Sequence, residues 1–305
     1  MSRTIEITIP PEKRQTLIER IQGREGIVGI AVQTGVSLSP PGDIVTVQAT
    51  NKAVEEILRI IEDLNILESG SFVLSEPAAL VAPSQRKAIE HQTNEAAWEE
   101  MQSLLRRDTS LTVNFLSLMT LSGAIAAVGL LQDTLHLVIG AMLVAPGFEP
   151  LVRIVLGPPS GAWHVSRAGL AATLVGYLML AFGAAVGLLI AVPLDPTVPA
   201  DLSNQQWIRY WTSFKWSGAI VAVFGGLAGT VIVNSRRTVF AAGVMIALAL
   251  VPSMAIAGMA LVIGDFPLML QALARWGMDV ACVLLASSLA MTLKRLLMHR
   301  RKALF

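Results

Sequence analysis

Residues 134–156 read TLHLVIGAMLVAPGFEPLVRIVL. The run is long and apolar enough to cross a bilayer, which takes about 20 predominantly apolar residues. Its middle, Pro146-Gly147-Phe148-Glu149-Pro150, is nevertheless built to break a helix. Proline removes a backbone donor and clashes with the preceding turn. Carbonyls freed at membrane depth persist only where they are buried in protein or line a wet cavity. A second apolar run, at about 238–263, carries Pro252 near its middle, and the two runs resemble one another. Gly140-Ala-Met142-Leu143 in the first is matched by Gly243-Val-Met245-Ile246 in the second. Upstream, Ser122-Gly-Ala-Ile matches Ser217-Gly-Ala-Ile, with a spacing that differs by eight residues.

Working outward, six apolar runs are long enough to span: roughly 111–132, 134–156, 168–193, 216–234, 238–263 and 275–296. The expectation is an all-α bundle of about six transmembrane helices over 111–300, followed by a basic tail, 301–305. The matched second and fifth runs make the six a 3+3 repeat. Three is odd, so the halves would lie in opposite orientations, the inverted plan of many secondary transporters. Gly183–Gly187 and Gly225–Gly229 supply G-x-x-x-G pairs for close helix packing.

Charge divides the 305-residue chain near residue 110. Residues 1–110 hold 11 Lys/Arg against 16 Asp/Glu, and residues 111–305 hold 12 against 6, so the overall +1 conceals an acidic part and a basic one. Only 15% of residues are charged and 53% are hydrophobic, with a mean hydropathy of +0.61. A soluble chain carries about 25% charged residues. With the N-terminus in the cytoplasm, the inside segments carry Arg106, Arg107, Arg167, Arg236, Arg237, Lys294, Arg295, Arg300, Arg301 and Lys302. The outside segments carry only Arg209, Lys215 and Arg275. Ten against three obeys the positive-inside rule and places both termini in the cytoplasm. Trp207, Tyr210, Trp211 and Trp216 mark the external stretch 194–215 as interfacial, or else as a lid on the external mouth.

Residues 1–80 form the charged soluble domain. Ile5, Ile7 and Ile9 alternate with Thr4, Glu6 and Thr8 as a half-buried strand, and Pro10–Pro11 stands where a helix begins. Strands at 26–32 and 43–49 flank a Ser37–Gly42 loop. A helix from Asn51 carries a stripe of Val54, Ile57, Leu58, Ile61 and Leu64, and a strand at 71–75 closes the order βαββαβ, an α+β ferredoxin-like arrangement. Such a module oligomerises or spaces the protein, or binds a regulatory ligand. Its acidity and single aromatic, Phe72, exclude nucleic acid as a partner. Residues 81–110 read as an amphipathic connector ending in Arg106–Arg107. The start, MSRTIEITIP, has no apolar h-region, so no cleavable signal is expected ahead of the domain.

The substrate or ion path candidates are Pro146, Gly147, Glu149, Arg153, Pro252, Ser253 and Asp279. A charge at mid-bilayer costs about 2.5–3.5 kcal/mol on insertion scales. Glu149 and Arg153 lie one helical turn apart and form either a structural ion pair or a proton, ion or anion site. Arg153 could instead snorkel to the cytoplasmic interface. Asp279, one turn into the sixth run, poses the same question, and Ser253 and Ser122 are weaker candidates. One cysteine, Cys282, allows no disulfide within the chain. H-E-x-x-H, Walker A and G-x-S-x-G motifs are absent and the four histidines are dispersed, so neither an enzyme nor a metal or other cofactor is expected.

Leu121-Ser-Gly-Ala-Ile-Ala-Ala-Val-Gly129-Leu-Leu, then Val138-Ile-Gly-Ala-Met-Leu-Val-Ala-Pro146, with Leu104-Leu-Arg-Arg-Asp108 before them and Val251-Pro252 after, resembles a family of prokaryotic membrane proteins, domain of unknown function 389. The resemblance covers most of 95–265. Many members read Pro-Leu-Met-x-Pro where this chain has Pro146-Gly-Phe-Glu-Pro150, a departure that would mark a subgroup. The resemblance implies a multi-pass protein of the cell (inner) membrane and no assigned substrate. The leading expectation is a homo-oligomeric transporter or channel for a small solute or ion, its site where the two broken helices meet. The alternative is a non-transporting sensor or scaffold whose soluble domain binds a ligand or partner.

Overall fold

The computed structural model describes residues 3–75, 98–194, 202, 205–234 and 241–297. The chain divides near residue 100 into two compact units. The first runs β1 (Arg3–Ile9), α1 (Pro11–Ile21), β2 (Ile27–Leu38), β3 (Pro41–Ala49), α2 (Asn51–Asp63), a short 3-10 turn and β4 (Ser71–Ser75). The sheet order is β2-β3-β1-β4 and every neighbouring pair is antiparallel. Alternation decides which face is covered: Ile5, Ile7, Ile9, Val45 and Val47 are fully buried beneath Leu17 and Ile21 of α1 and Ile57, Leu58 and Ile61 of α2. Pro11 opens α1, where its missing N–H is no loss.

The expected Ser37–Gly42 loop is a correction. β2 and β3 continue through it, with Ser37 paired to Gly42 and Leu38 to Pro41, so the connection is a tight turn on a long hairpin. Its outer end carries no hydrophobic alternation because it covers no core; Leu38 is 91% exposed. Asp43, 2% exposed, ties the hairpin to α1 by accepting from Arg14 at 2.9 Å and from the Gly35 amide at 2.7 Å.

The second unit is helical. The connector helix α3 (Trp98–Thr109) leads into α4 (Val113–Leu131), α5 (Leu135–Val144), α6 (Glu149–Ser160), α7 (Trp163–Leu194), α8 (Gln206–Thr212), α9 (Trp216–Asn234), α10 (Ala241–Ala247), α11 (Leu250–Ile263) and α12 (Phe266–Leu297). The part of the expected connector before Trp98, and the charges at 236, 237 and 300–302, lie outside the described residues. Four helices, α4, α7, α9 and α12, are long and apolar enough to cross a membrane, and the pair α5–α6, bent by 40°, makes a fifth if it is one span. The fifth expected run is divided into α10 and α11, neither of which reaches spanning length alone. Leu118, Leu178, Phe182, Phe224, Leu285 and Leu289 are exposed on the long helices, an apolar surface suited to a membrane. α11 lies at the centre: every residue from Leu250 to Ala260 is buried, against α4, α7 and α12 among others.

Helices α7 and α12 have 32 residues each, about 48 Å at 1.5 Å per residue. They begin earlier than the apolar runs at 168 and 275 suggest, because Arg167 and Arg275 are helical residues. Arg275, counted from the sequence among the outside charges at the head of the sixth run, lies inside α12 with an 11% exposed side chain.

The same landmarks recur 103 residues apart. α4 and α9 begin at Val113 and Trp216 and have 19 residues each; α7 and α12 begin at Trp163 and Phe266. Gly161 and Gly264 end α6 and α11 with positive φ, 81° and 77°, the left-handed conformation that glycine adopts freely. Gly123 meets the backbone of Leu180, and Gly226 meets that of Val283. Gly140 and Gly243 keep this register, but Ser122 and Ser217 do not: Ser122 is mid-helix in α4, whereas Ser217 is the second residue of α9. The Ser-Gly-Ala-Ile match is therefore a coincidence of small residues, and the eight-residue discrepancy in spacing disappears with it.

The soluble core gives a direct test. Leu58→Ala, which empties a fully buried site under the sheet, is expected to destabilise residues 1–80 by about 2–5 kcal/mol in chemical denaturation.

Candidate functional site

Each helix break follows from proline. Pro146 cannot donate to the Met142 carbonyl, nor Pro150 to that of Pro146, and α5 stops at Val144 before α6 begins at Glu149. Pro252 cannot donate to the Leu248 carbonyl, so its break falls at Leu248–Ala249, before the proline rather than at it. Pro252 itself lies in the first turn of α11, as Pro150 does in α6.

The two breaks meet. A Cβ on Gly147 would stand 2.6 Å from the Tyr177 hydroxyl and 3.0 Å from the terminal methyl of Met245, three residues before Leu248. Phe148, fully buried, packs its ring on Gly229 of α9, where a Cβ would have no room. Gly258 of α11 lies against the backbone of Ala181 on α7.

Polar side chains hold both breaks. The Tyr177 hydroxyl of α7 donates to the Gly147 carbonyl at 3.2 Å, and its ring stands edge-on to Trp276 of α12 at 5.3 Å. The Ser122 hydroxyl donates to the Ala141 carbonyl at 2.7 Å. At the second break Asp279 of α12, fully buried, accepts the Ala249 amide at 2.9 Å through Oδ2, and its Oδ1 lies 3.4 Å from Arg275. Tyr177 and Asp279 are separated by 102 residues, as are Gly147 and Ala249. These pairs fall one residue short of the 103-residue spacing, so adjacent rather than matched positions of α7 and α12 secure the two breaks, by a donor in one case and an acceptor in the other.

Of the sequence candidates, Gly147, Pro252, Ser253 and Asp279 are buried and Pro146 and Glu149 half-buried in this region. Glu149 is the first residue of α6, close enough to Tyr177 for its charge, with that of Asp279, to act on the hydroxyl. Arg153 is held elsewhere: it donates to Thr109 Oγ1 at 2.8 Å, tying α6 to the end of the connector helix. Ser253 donates to the Trp211 carbonyl of α8 at 3.1 Å. That short helix also receives the Asp133 carboxylate on the Trp207 amide, and Ile208 and Trp211 are buried, so α8 packs on the bundle with Tyr210 turned outward. Tyr177, Arg275 and Trp276 escaped the sequence reading. The signals were there: a hydroxyl inside an unbroken apolar helix, and an arginine four residues before a membrane aspartate.

Gly147→Ala is expected to lower the stability of the detergent-solubilised protein by about 1–3 kcal/mol, whereas Gly140→Ala, with nothing within 4 Å of the new methyl, leaves it unchanged or slightly raised. Tyr177→Phe is expected to cost about 0.5–1.5 kcal/mol. Thermal unfolding of the three variants checks both.

The geometry can be set beside known proteins. The family model described as Domain of unknown function (DUF389) matches residues 142–285, from Met142 in α5 to Leu285 in α12. The matched segment contains both helix breaks and starts later than the 95–265 of the sequence resemblance. An uncharacterized protein of Methanocaldococcus jannaschii is 23% identical over 242 residues, 79% of this chain and 72% of that protein. No solved structure matches the chain. Over residues 142–285 the chain is therefore similar to the DUF389 family, as its Gly-Ala-Met-Leu-x-x-Pro element also is.

Proposed function

We propose that this protein is a transporter or channel for a small solute or ion, with its site where the α5–α6 and α10–α11 breaks meet. The observation that carries the reading is the approach of Gly147 to Met245, which brings two proline-broken helices together inside an apolar bundle. Broken helices at corresponding positions of two halves are the plan on which transporters place a site near the midplane. The 103-residue recurrence supports reading α4–α7 and α9–α12 as two such halves. With the broken pairs as single spans each half crosses three times, which inverts one half relative to the other. In this reading the protein is a multi-pass protein of the prokaryotic inner membrane with both termini cytoplasmic. Finding Arg275 inside α12 leaves only Arg209 and Lys215 on the outside, which agrees.

The sheet order β2-β3-β1-β4 supports the ferredoxin-like reading of the soluble unit, which would regulate or oligomerise the membrane domain. Arg153 gives it a lever, because the hydrogen bond to Thr109 joins the connector to the second arm of the first broken helix.

Reconstitution in liposomes tests the proposal. Proton, cation or anion flux is expected, and Glu149→Gln or Pro252→Ala should reduce it at least about tenfold, the effect of about 1.4 kcal/mol at the limiting step. Flux unchanged in both variants would remove the breaks from the path. No flux, together with ligand binding by residues 1–80, would make the protein a sensor.

A further inference from the structure

Asp279 is fully buried, yet its carboxylate is only half engaged. Oδ2 accepts the Ala249 amide at 2.9 Å, a normal hydrogen bond to the residue at the second helix break. Among the described residues Oδ1 has only the Arg275 guanidinium, at 3.4 Å. A charge-assisted hydrogen bond between such groups is about 2.7–2.9 Å long. The contact leaves Asp279 Oδ1 and Arg275 Nε both buried without a hydrogen bond. A buried carboxylate without its full complement of donors is costly, and so is a buried guanidinium. The pair is therefore in Coulomb contact without the close geometry that would lock it.

We infer that Asp279 is an exchange site for one monovalent cation, occupied here by the tethered Arg275 guanidinium and open at Oδ1 to a proton or a sodium ion that displaces it. This rests on the reading of the second break as part of a transport path. Charge argues for a monovalent ligand: among the described residues no three His, Cys, Asp or Glu side chains come together as a metal-binding group. The titratable surroundings are few. Arg275 and Cys282 face Asp279 from its own helix, and Tyr177 faces it from α7. Of the other elements packed on α12, α6 brings Glu149 and Arg153 and α8 brings Arg209 and Tyr210, whereas α9 and α11 carry no titratable side chain.

The exchange has a mechanical consequence at each end. A proton or a close-fitting sodium ion on Oδ1 polarises the carboxylate more than the guanidinium at 3.4 Å does and weakens its hold on the Ala249 amide, which loosens the α10–α11 break. The released guanidinium packs over Gly218 at the start of α9, where a side-chain carbon would collide with it, so its departure frees that helix end. The latch at the first break, Tyr177 on the Gly147 carbonyl, is made by a hydroxyl and has no such exchange. One break is thus cation-controlled and the other is not.

The test uses the full-length protein in lipid nanodiscs and reads the protonated-carboxyl stretch by infrared difference spectroscopy between about pH 5 and pH 9, with sodium or choline chloride. A titrating band absent from Asp279→Asn is expected. If the proton alone is the cation, sodium leaves the band unchanged; if sodium also binds, it diminishes the band and choline does not. Arg275→Gln, which removes the tethered competitor and keeps Asp279, should tighten cation binding about ten- to a thousandfold. A titration unmoved in Arg275→Gln, or no Asp279 band together with no sodium effect, overturns the inference. The spectrum needs no gradient, so a protein that titrates as expected but shows no flux would retain this site and lose the transport reading.

Discussion

Backbone groups freed inside the membrane domain have to find partners within it, and most of what is particular to this protein follows from that requirement. Proline at 146, 150 and 252 takes donors away from helices in an environment where water does not replace them. The chain responds with a buried hydroxyl and a carboxylate aimed at the breaks, Tyr177 on Gly147 and Asp279 on Ala249, and Ser122 adds a second bond to the Ala141 carbonyl just before the first. These contacts fix how α7 and α12 approach the broken elements. The close approach is in turn possible only because glycine stands at the crossings, at 123, 226, 229 and 258, where a Cβ would meet a neighbour's backbone or the Phe148 ring.

The two sets of helices meet the same demand with opposite chemistry. A phenol donates to a carbonyl at the first break and a carboxylate accepts an amide at the second. Tyr177 holds its carbonyl as a hydroxyl donor, whereas Asp279 brings a charge that has to be balanced inside the bundle. Arg275 is the balance, one turn away on the same helix, with 3.4 Å between its guanidinium and Oδ1. Helix landmarks that recur 103 residues apart therefore frame two breaks with different electrostatic character. An asymmetry of that kind is what a device needs if only one of its gates is to respond to an ion.

Much of the candidate site was legible residue by residue. Pro146-Gly147-Phe148-Glu149-Pro150 announced a break because two prolines four apart leave no continuous ladder of donors, and the helix does stop at Val144. Pro252 announced the second, displaced to Leu248–Ala249 because a proline is tolerated in a first turn and forbids only the carbonyl behind it. Arg153 was legible as an expensive residue but not as a ligand of Thr109, which lies 44 positions away. Arg275 was legible as a charge at the head of the sixth run but not as the buried partner of Asp279 one turn on.

By itself the sequence determined a charged βαββαβ head, long apolar helices and two interrupted runs, because periodicity, charge density and proline act locally along the chain. Only the tertiary structure decided that Gly147 meets Met245, that Phe148 fills the space above Gly229, and that Tyr177 and Asp279 secure the breaks. Those pairings join residues 30 to 98 positions apart. They depend on how helices cross, which is set by where small residues let backbones approach and where a buried polar group must be satisfied, and neither condition can be read from a neighbour in the chain.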